Sequence, residues 1–226
     1  MTNVQRRSHP VIAIDGPAGA GKSTLAAHLA QHFGFLNLET GAMYRALALK
    51  AIESTTSTDD EASLMLLGDK THIVLEPRAD DSNRVLLDGR DVTLRIRDKD
   101  VSDAASQVSV HPRVRAWMVE RQRALGADGG VVMEGRDIGT HVFPDAEVKI
   151  FLDAADTVRG QRRFLQSAES TPEAVLAAVR ERDARDRNRA ASPLEPATDA
   201  VHLDTSAMTM EEVFRRAEEL VQARIA

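Results

Sequence analysis

The chain has 226 residues, of which 42% are hydrophobic and 28% charged, a net charge of −6 and no cysteine. That length supports one sizeable core with room for a small inserted lobe, and the lack of cysteine excludes disulfides and thiolate metal sites. The negative balance argues against a general nucleic-acid binder, and no apolar run approaches the roughly 20 residues that span a bilayer.

Met1 to Ser8 carries Arg6 and Arg7 with no apolar stretch behind them. It does not read as a signal peptide, so a frayed tail on a cytoplasmic protein is expected. Val11-Ile12-Ala13-Ile14-Asp15 is a short β-branched run, hence a buried strand. Gly16-Pro17-Ala18-Gly19-Ala20-Gly21-Lys22-Ser23 then fits G-x-x-x-x-G-K-[ST], and helical periodicity follows Thr24 from Leu25 to Ala30. Strand, glycine turn and helix in register are the context a phosphate-binding loop requires. The glycines let backbone N–H groups converge on a phosphate at the positive end of the helix. Lys22 supplies a mobile point charge to the β/γ-phosphates, and the Ser23 hydroxyl can ligate Mg²⁺. A merely flexible glycine turn would not explain the register, so binding of a nucleoside triphosphate is expected.

Phe35 to Leu38 forms a second short strand. A helix over Ala42 to Ile52 follows, with Thr40 its expected N-cap. After the polar break at Ser54 to Ser57, Thr58-x-x-Glu61 reads as a capping box for a helix through Leu67. Asp59-Asp60-Glu61 is a helix start favoured by the dipole rather than an acid pair. Thr71 to Glu76 and Arg84 to Asp88 look like paired strands around a polar loop containing Pro77, Asp80 and Asp81, with an Asp88-Gly89 turn before Asp91-Val92-Thr93. No crossover helix separates them, which predicts a small antiparallel lobe over about 59–97.

Helical pattern resumes at Val101, and Pro112 suits the first position of a helix reaching Leu125. Trp117 with Val114, Met118 and Leu125 reads as core packing. Gly129-Gly130 ends it, and Val131 to Glu134 and Val148 to Asp153 are buried strands. Two helices follow, near 155–168 and 172–190, the second opened by a Ser170-x-x-Glu173 box. Val201 to Asp204 is the last strand. A closing helix starts at Thr209-x-x-Glu212, with Val213, Phe214, Ala217, Leu220 and Val221 on its apolar side. Five strands alternating with helices mean a doubly wound α/β parallel sheet, with ligands at the carboxyl ends of its strands. His28 and His32 stand four apart, but Leu29 occupies the place where a zincin needs Glu, so no metal site is expected there.

A phosphate loop does not name an acceptor. Arg182, Arg185, Asp186 and Arg189 recur at i, i+3, i+4 and i+7 and so share one helical stripe. Guanidinium forks match phosphate oxygens, and phosphoryl transfer needs the moving charge neutralised in place. Arg159, Arg162 and Arg163 on the preceding helix deepen the cluster, which a merely solvated ion-pair helix would not require. Thr40 to Arg45, Ala105 to Val108 with Arg113 and Arg115, and Glu134 to Thr140 complete the candidate stretches.

In order along the chain, the loop at 16–24, Thr40-Gly41-Ala42-Met43-Tyr44-Arg45, Ala104-Ala105-Ser106-Gln107-Val108, Glu134-Gly135-Arg136-Asp137-Ile138-Gly139, Val142-Phe143-Pro144-Asp145-Ala146 and Arg185-Asp186-Arg187-Asn188-Arg189 together resemble the bacterial cytidylate kinase family. The resemblance runs from about Pro10 to the last helix. It implies a P-loop NMP-kinase fold: one kinase domain over 1–226, with a core at 9–58 and 98–226, an NMP-binding lobe at about 59–97 and a helical lid at about 155–190. It also implies ATP as phosphoryl donor, Mg²⁺ as cofactor, CMP and dCMP as acceptors, and a cytoplasmic monomer engaging neither nucleic acid nor membrane.

By matching position, Gly16 to Thr24 would hold ATP and Ser23 the metal. Thr40, Tyr44 and Arg45 would lie along the CMP site, with Arg45, Arg136 and Arg189 on its phosphate. Ser106, Arg115 and Asp137 would face the cytosine, and Arg182 and Asp186 the ribose. Arg159, Arg162 and Arg163 would belong to the lid over ATP, and Lys22, Arg136, Arg159, Arg163 and Arg189 would serve catalysis. Ser23 stands where some members have Gly, and Glu39 and Glu134 where some have Asp. Asp137 has a second reading, as a carboxylate that only orients an adjacent arginine. Two other functions stay open at this level: an ATP-gated interaction module, and a small-metabolite kinase with the same loop, such as one for shikimate. A GTPase switch would need N-K-x-D, which the chain lacks.

Overall fold

The computed structural model describes residues 7–78, 82–165 and 171–225. In chain order come β1 (Val11–Asp15), α1 (Lys22–Phe33), β2 (Leu36–Glu39), α2 (Thr40–Glu53), α3 (Glu61–Gly68), β3 (Ile73–Pro77), β4 (Asn83–Leu87) and β5 (Arg90–Asp91). Then follow α4 (Lys99–Val108), α5 (Pro112–Leu125), β6 (Val131–Gly135), β7 (Val148–Asp153), α6 (Asp156–Phe164), α7 (Pro172–Asn188), β8 (Val201–Asp204) and α8 (Met210–Ile225).

The expected five strands form one parallel sheet in the order β2-β6-β1-β7-β8, with β1 at its centre. Every residue of β1 is buried, and its side chains alternate between two cores. Val11 and Ala13 join α2, α4, α5 and the inserted strands, whereas Ile12 and Ile14 join α1 and α8. Helices on both faces explain why the strands read as unbroken apolar runs. The register sets Ile14 and Glu39 each opposite Glu134, and Asp15 opposite Gly135 and Phe151. The carboxyl ends of the strands therefore present their acidic residues along a single rim.

The antiparallel strands β3, β4 and β5 make a separate three-stranded sheet. Asp88 and Gly89, at φ 51° and 81°, form the tight turn expected between β4 and β5. The last strand is shorter than the sequence implied, because Thr93 turns inward and its hydroxyl accepts the Val85 N–H. Asn83 ties this sheet to the core, since its side chain bonds the Glu39 N–H and the Asn37 carbonyl.

Local caps depart from expectation in three places. Glu39, not Thr40, caps α2, and the Thr40 hydroxyl instead donates to the Glu134 carbonyl. Asp60 rather than Thr58 caps α3 by accepting the Ser63 N–H, while Thr58 bonds Gln107. Thr171 caps α7, with Pro172 in its first turn; Ser170 lies outside the described residues, as do Asp80, Asp81 and the expected end of α6 near 168. The Thr209–Glu212 box forms in both directions. Trp117, Val114 and Met118 are buried as expected, but Leu125 ends α5 exposed. Arg7 is not frayed: it pairs with Asp145 at 2.6 Å and lies over the Phe143 ring.

Candidate active site

Residues 16–21 leave the end of β1 and turn directly into α1. Gly16, at φ 148°, has no room for a side chain, since a Cβ would lie 1.9 Å from the Leu152 carbonyl oxygen. Gly19 and Gly21 take positive φ as well, which curls the backbone toward the helix N-terminus. Lys22 is buried and donates to the Pro17 carbonyl at 2.8 Å. Burial first, and the nearby Arg136 second, push its pKa down to about 7. Ser23 and Thr24 are exposed in the first turn of α1, and the Ser23 hydroxyl donates to Glu134 at 2.5 Å. A hydroxyl beside a carboxylate is an oxygen donor set suited to a hard divalent cation.

The loop is braced from α6. Arg159 donates to the Ala18 carbonyl at 3.0 Å and to Ala154 at 2.7 Å, and pairs with Asp183 on α7 at 2.6 Å. Arg162 reaches the Ala20 carbonyl and holds both oxygens of Thr205. These guanidiniums are engaged by protein oxygens, so they position the loop. Arg163 differs. Its side chain makes no hydrogen bond or ion pair among the described residues, and its Cγ lies 3.3 Å from where a Gly19 Cβ would be. Although Arg163 is exposed, partial desolvation beside the loop and the nearby Arg136 lower its pKa.

Beyond the loop the other arginines gather around four carboxylates. Arg136 donates to Asp186 at 2.9 Å, and Arg189, at the C-terminal cap of α7, stands 3.7 Å from the same carboxylate. Burial would raise Asp186, but Arg136 and Arg182 outweigh it and hold its pKa below the usual range. Arg45 is paired with Glu39, and Arg97 lies 3.8 Å from that acid. Arg115 donates to Asp137 at 2.5 Å and to the Ser109 carbonyl, and it lies over the Tyr44 ring. Arg185, on the same stripe of α7, donates to Ser106 at 2.6 Å and to Glu181.

Several polar atoms among these side chains are buried without a partner: Tyr44 Oη, Arg45 Nε, Arg182 Nε and Arg189 Nη2. Burial, reinforced by Arg136 around Arg182 and by Arg115 around Arg189, pushes both pKa values down to about 10. Both groups stay charged at neutral pH, in a setting where that charge is costly.

Asp15 was legible only as the end of a strand. Its carboxylate accepts the Ile138 and Gly139 N–H groups at 2.8 and 2.7 Å, holding the helical turn at Ile138–Val142 that follows Asp137. Burial pushes its pKa up to about 6.

A parallel sheet with a lysine-bearing glycine loop at its carboxyl rim, facing a buried arginine cluster, defines a P-loop phosphotransferase. A family model described as Cytidylate kinase matches residues 12–223. Among curated relatives, the cytidylate kinase of a Geobacter species is 44% identical over 99% of this chain and 97% of its own length. That of Pelotomaculum thermopropionicum is 48% identical over 97% of both chains, and that of Pasteurella multocida 42% over 95% and 96%. The chain belongs to the cytidylate kinase family.

Engaged and open cations should respond differently to perturbation. Triphosphate binding restores the full charge of Lys22, so at about pH 8, above its depressed pKa, ATP binding takes up a proton. Calorimetry in HEPES and in Tris should then give different binding enthalpies, and Lys22→Met should remove the difference. Arg159→Ala leaves buried Asp183 without its partner and should lower unfolding stability by about 3–5 kcal/mol. Arg163→Ala should leave the denaturant midpoint in place and reduce kcat at least about tenfold.

Proposed function

We propose that the protein transfers the γ-phosphoryl group of ATP to CMP or dCMP, giving ADP and CDP or dCDP. One observation carries this reading beyond family membership: buried donors of Tyr44, Arg45, Arg182 and Arg189 lack partners, within a cationic cluster close enough for Arg136 and Arg182 to act on Lys22 and for Arg136 and Arg45 to act on Arg163. Two anionic ligands brought face to face would satisfy these groups.

The glycine loop and Lys22 hold the donor phosphates, fixed by the Arg159 and Arg162 braces. Arg45, Arg136 and Arg189 grip the acceptor phosphate, exchanging part of their hold on Glu39 and Asp186 for its oxygens. Arg182 and Asp186 serve the ribose. Arg163 and Arg136 neutralise the moving phosphoryl group, and no covalent intermediate is needed, since positioning and charge neutralisation carry the reaction. Ser23 and Glu134 would hold Mg²⁺, directly or through water, and the ion would draw charge from the β- and γ-phosphate oxygens.

The lobe at about 59–97 is assigned to acceptor binding and the α6–α7 segment, about 155–190, to a lid that excludes water. Core residues 9–58 and 98–226 complete one kinase domain. A cytoplasmic monomer acting on small nucleotides, with no nucleic-acid partner, suits the net charge of −6. No helix of the described residues is long and apolar enough to cross a membrane.

Cytosine presents an exocyclic amino donor where uracil presents an acceptor. Arg115 occupies one oxygen of Asp137, and a carboxylate has capacity for more donors, so the same group can hold Arg115 and read the base. Sites built on such matching reject the wrong ligand by up to ~10⁴-fold. An ADP-release assay with CMP, dCMP, UMP, AMP and shikimate tests the assignment: turnover should be fastest with CMP or dCMP, and a preference for shikimate or AMP would overturn it. In Asp137→Ala the CMP/UMP ratio of kcat/KM should narrow. Equal losses for both nucleotides would reduce Asp137 to a support for Arg115.

A further inference from the structure

The C-terminal half of α1 carries a second cluster, roughly 9 to 15 Å farther along the helix than Lys22 at 1.5 Å per residue. His28 and His32 are one turn apart and so share a face. The sequence offered no third ligand, since Leu29 breaks the zincin pattern, but the fold supplies one from a distant helix. Glu218 on α8 places Oε1 2.6 Å from His28 Nε2 and 3.3 Å from His32 Nδ1. One ligand atom from each residue lies within 4.8 Å of the others.

Two imidazole nitrogens and a carboxylate oxygen suit Zn²⁺ and its borderline neighbours, whereas Mg²⁺ prefers oxygen alone. A tetrahedral ion with bonds of about 2.0–2.1 Å holds its ligand atoms about 3.3 Å apart. The His32–Glu218 separation already matches, and the His28–Glu218 contact need open by only about 0.7 Å as an ion replaces the shared proton. The rings are also held in place: His28 stacks flat on Phe214 of α8, 3.8 Å between centroids. Beneath them Ala26, Leu29, Val213, Ala217 and Val221 share one buried cluster, which fixes α1 against α8. All three ligand side chains are partly exposed, between 24% and 38%, so an ion can enter and water can complete its coordination.

We propose that His28, His32 and Glu218 form a site for a borderline divalent cation of the Zn²⁺ type, cross-linking α1 to α8 away from the phosphoryl-transfer centre.

The test uses the full, tag-free chain, stripped with chelator and free of nucleotide, titrated with Zn²⁺ in a calorimeter and melted with and without the ion. The expected result is one ion per chain at micromolar affinity and a higher melting temperature with Zn²⁺, because the ion binds the folded chain. His32→Ala and Glu218→Gln should each weaken binding at least about tenfold and abolish the thermal gain. Both side chains are partly exposed, and circular dichroism of each variant checks that it folds. No binding tighter than about 1 mM overturns the proposal and leaves the trio as an imidazole–carboxylate pair. Equally tight binding in both folded variants overturns it too, by placing the ion elsewhere.

Discussion

The structure is organised around an excess of buried positive charge that the protein neutralises only in part. Asp186, Asp137 and Glu39 answer Arg136, Arg115 and Arg45, and Asp183 answers Arg159 behind the loop. Lys22 has a carbonyl oxygen for company, and Arg163 has no polar partner among the described residues. Removing such charges from water is costly, and the depressed pKa values of Lys22, Arg182 and Arg189 reflect that cost. Phosphate oxygens would relieve it, so under the proposed function affinity and catalysis share one origin.

Such an arrangement persists only if the backbone holding it cannot relax. Gly16 passes so close to Leu152 that the loop is fixed to β7 as well as to its own strand. Arg159 and Arg162 hold two of the loop carbonyls, Ala18 and Ala20, from α6. Asp15, one residue before the loop, fixes the turn after Asp137 through two backbone N–H groups. The end of one central strand thus connects the glycine loop to the segment proposed to face the base. Protonation of Asp15 would weaken both bonds, and its pKa near 6 keeps the carboxylate ionised at neutral pH.

Much of this was legible in the sequence because it is local. The glycine loop, the β-branched strands and the Asp88-Gly89 turn each declare themselves within a few residues, and the parallel sheet follows from their alternation with helices. Caps were less legible. Thr40 and Thr58 are good capping types, but their hydroxyls found distant partners in Glu134 and Gln107. The division of labour among Arg159, Arg162 and Arg163 was hidden for the same reason: all three share one short segment, and only tertiary contacts separate brace from open cation. Glu218 shows the limit most sharply, since nothing near His28 in the sequence announces it.

The central claim is that the acceptor's phosphate, more than its base, completes the site. Melting temperatures measured with CMP and with cytidine at equal concentration, without ATP, test it most directly. The account predicts a clear rise with CMP that shrinks as salt is added, and little or no rise with cytidine. Equal stabilisation by cytidine would contradict it.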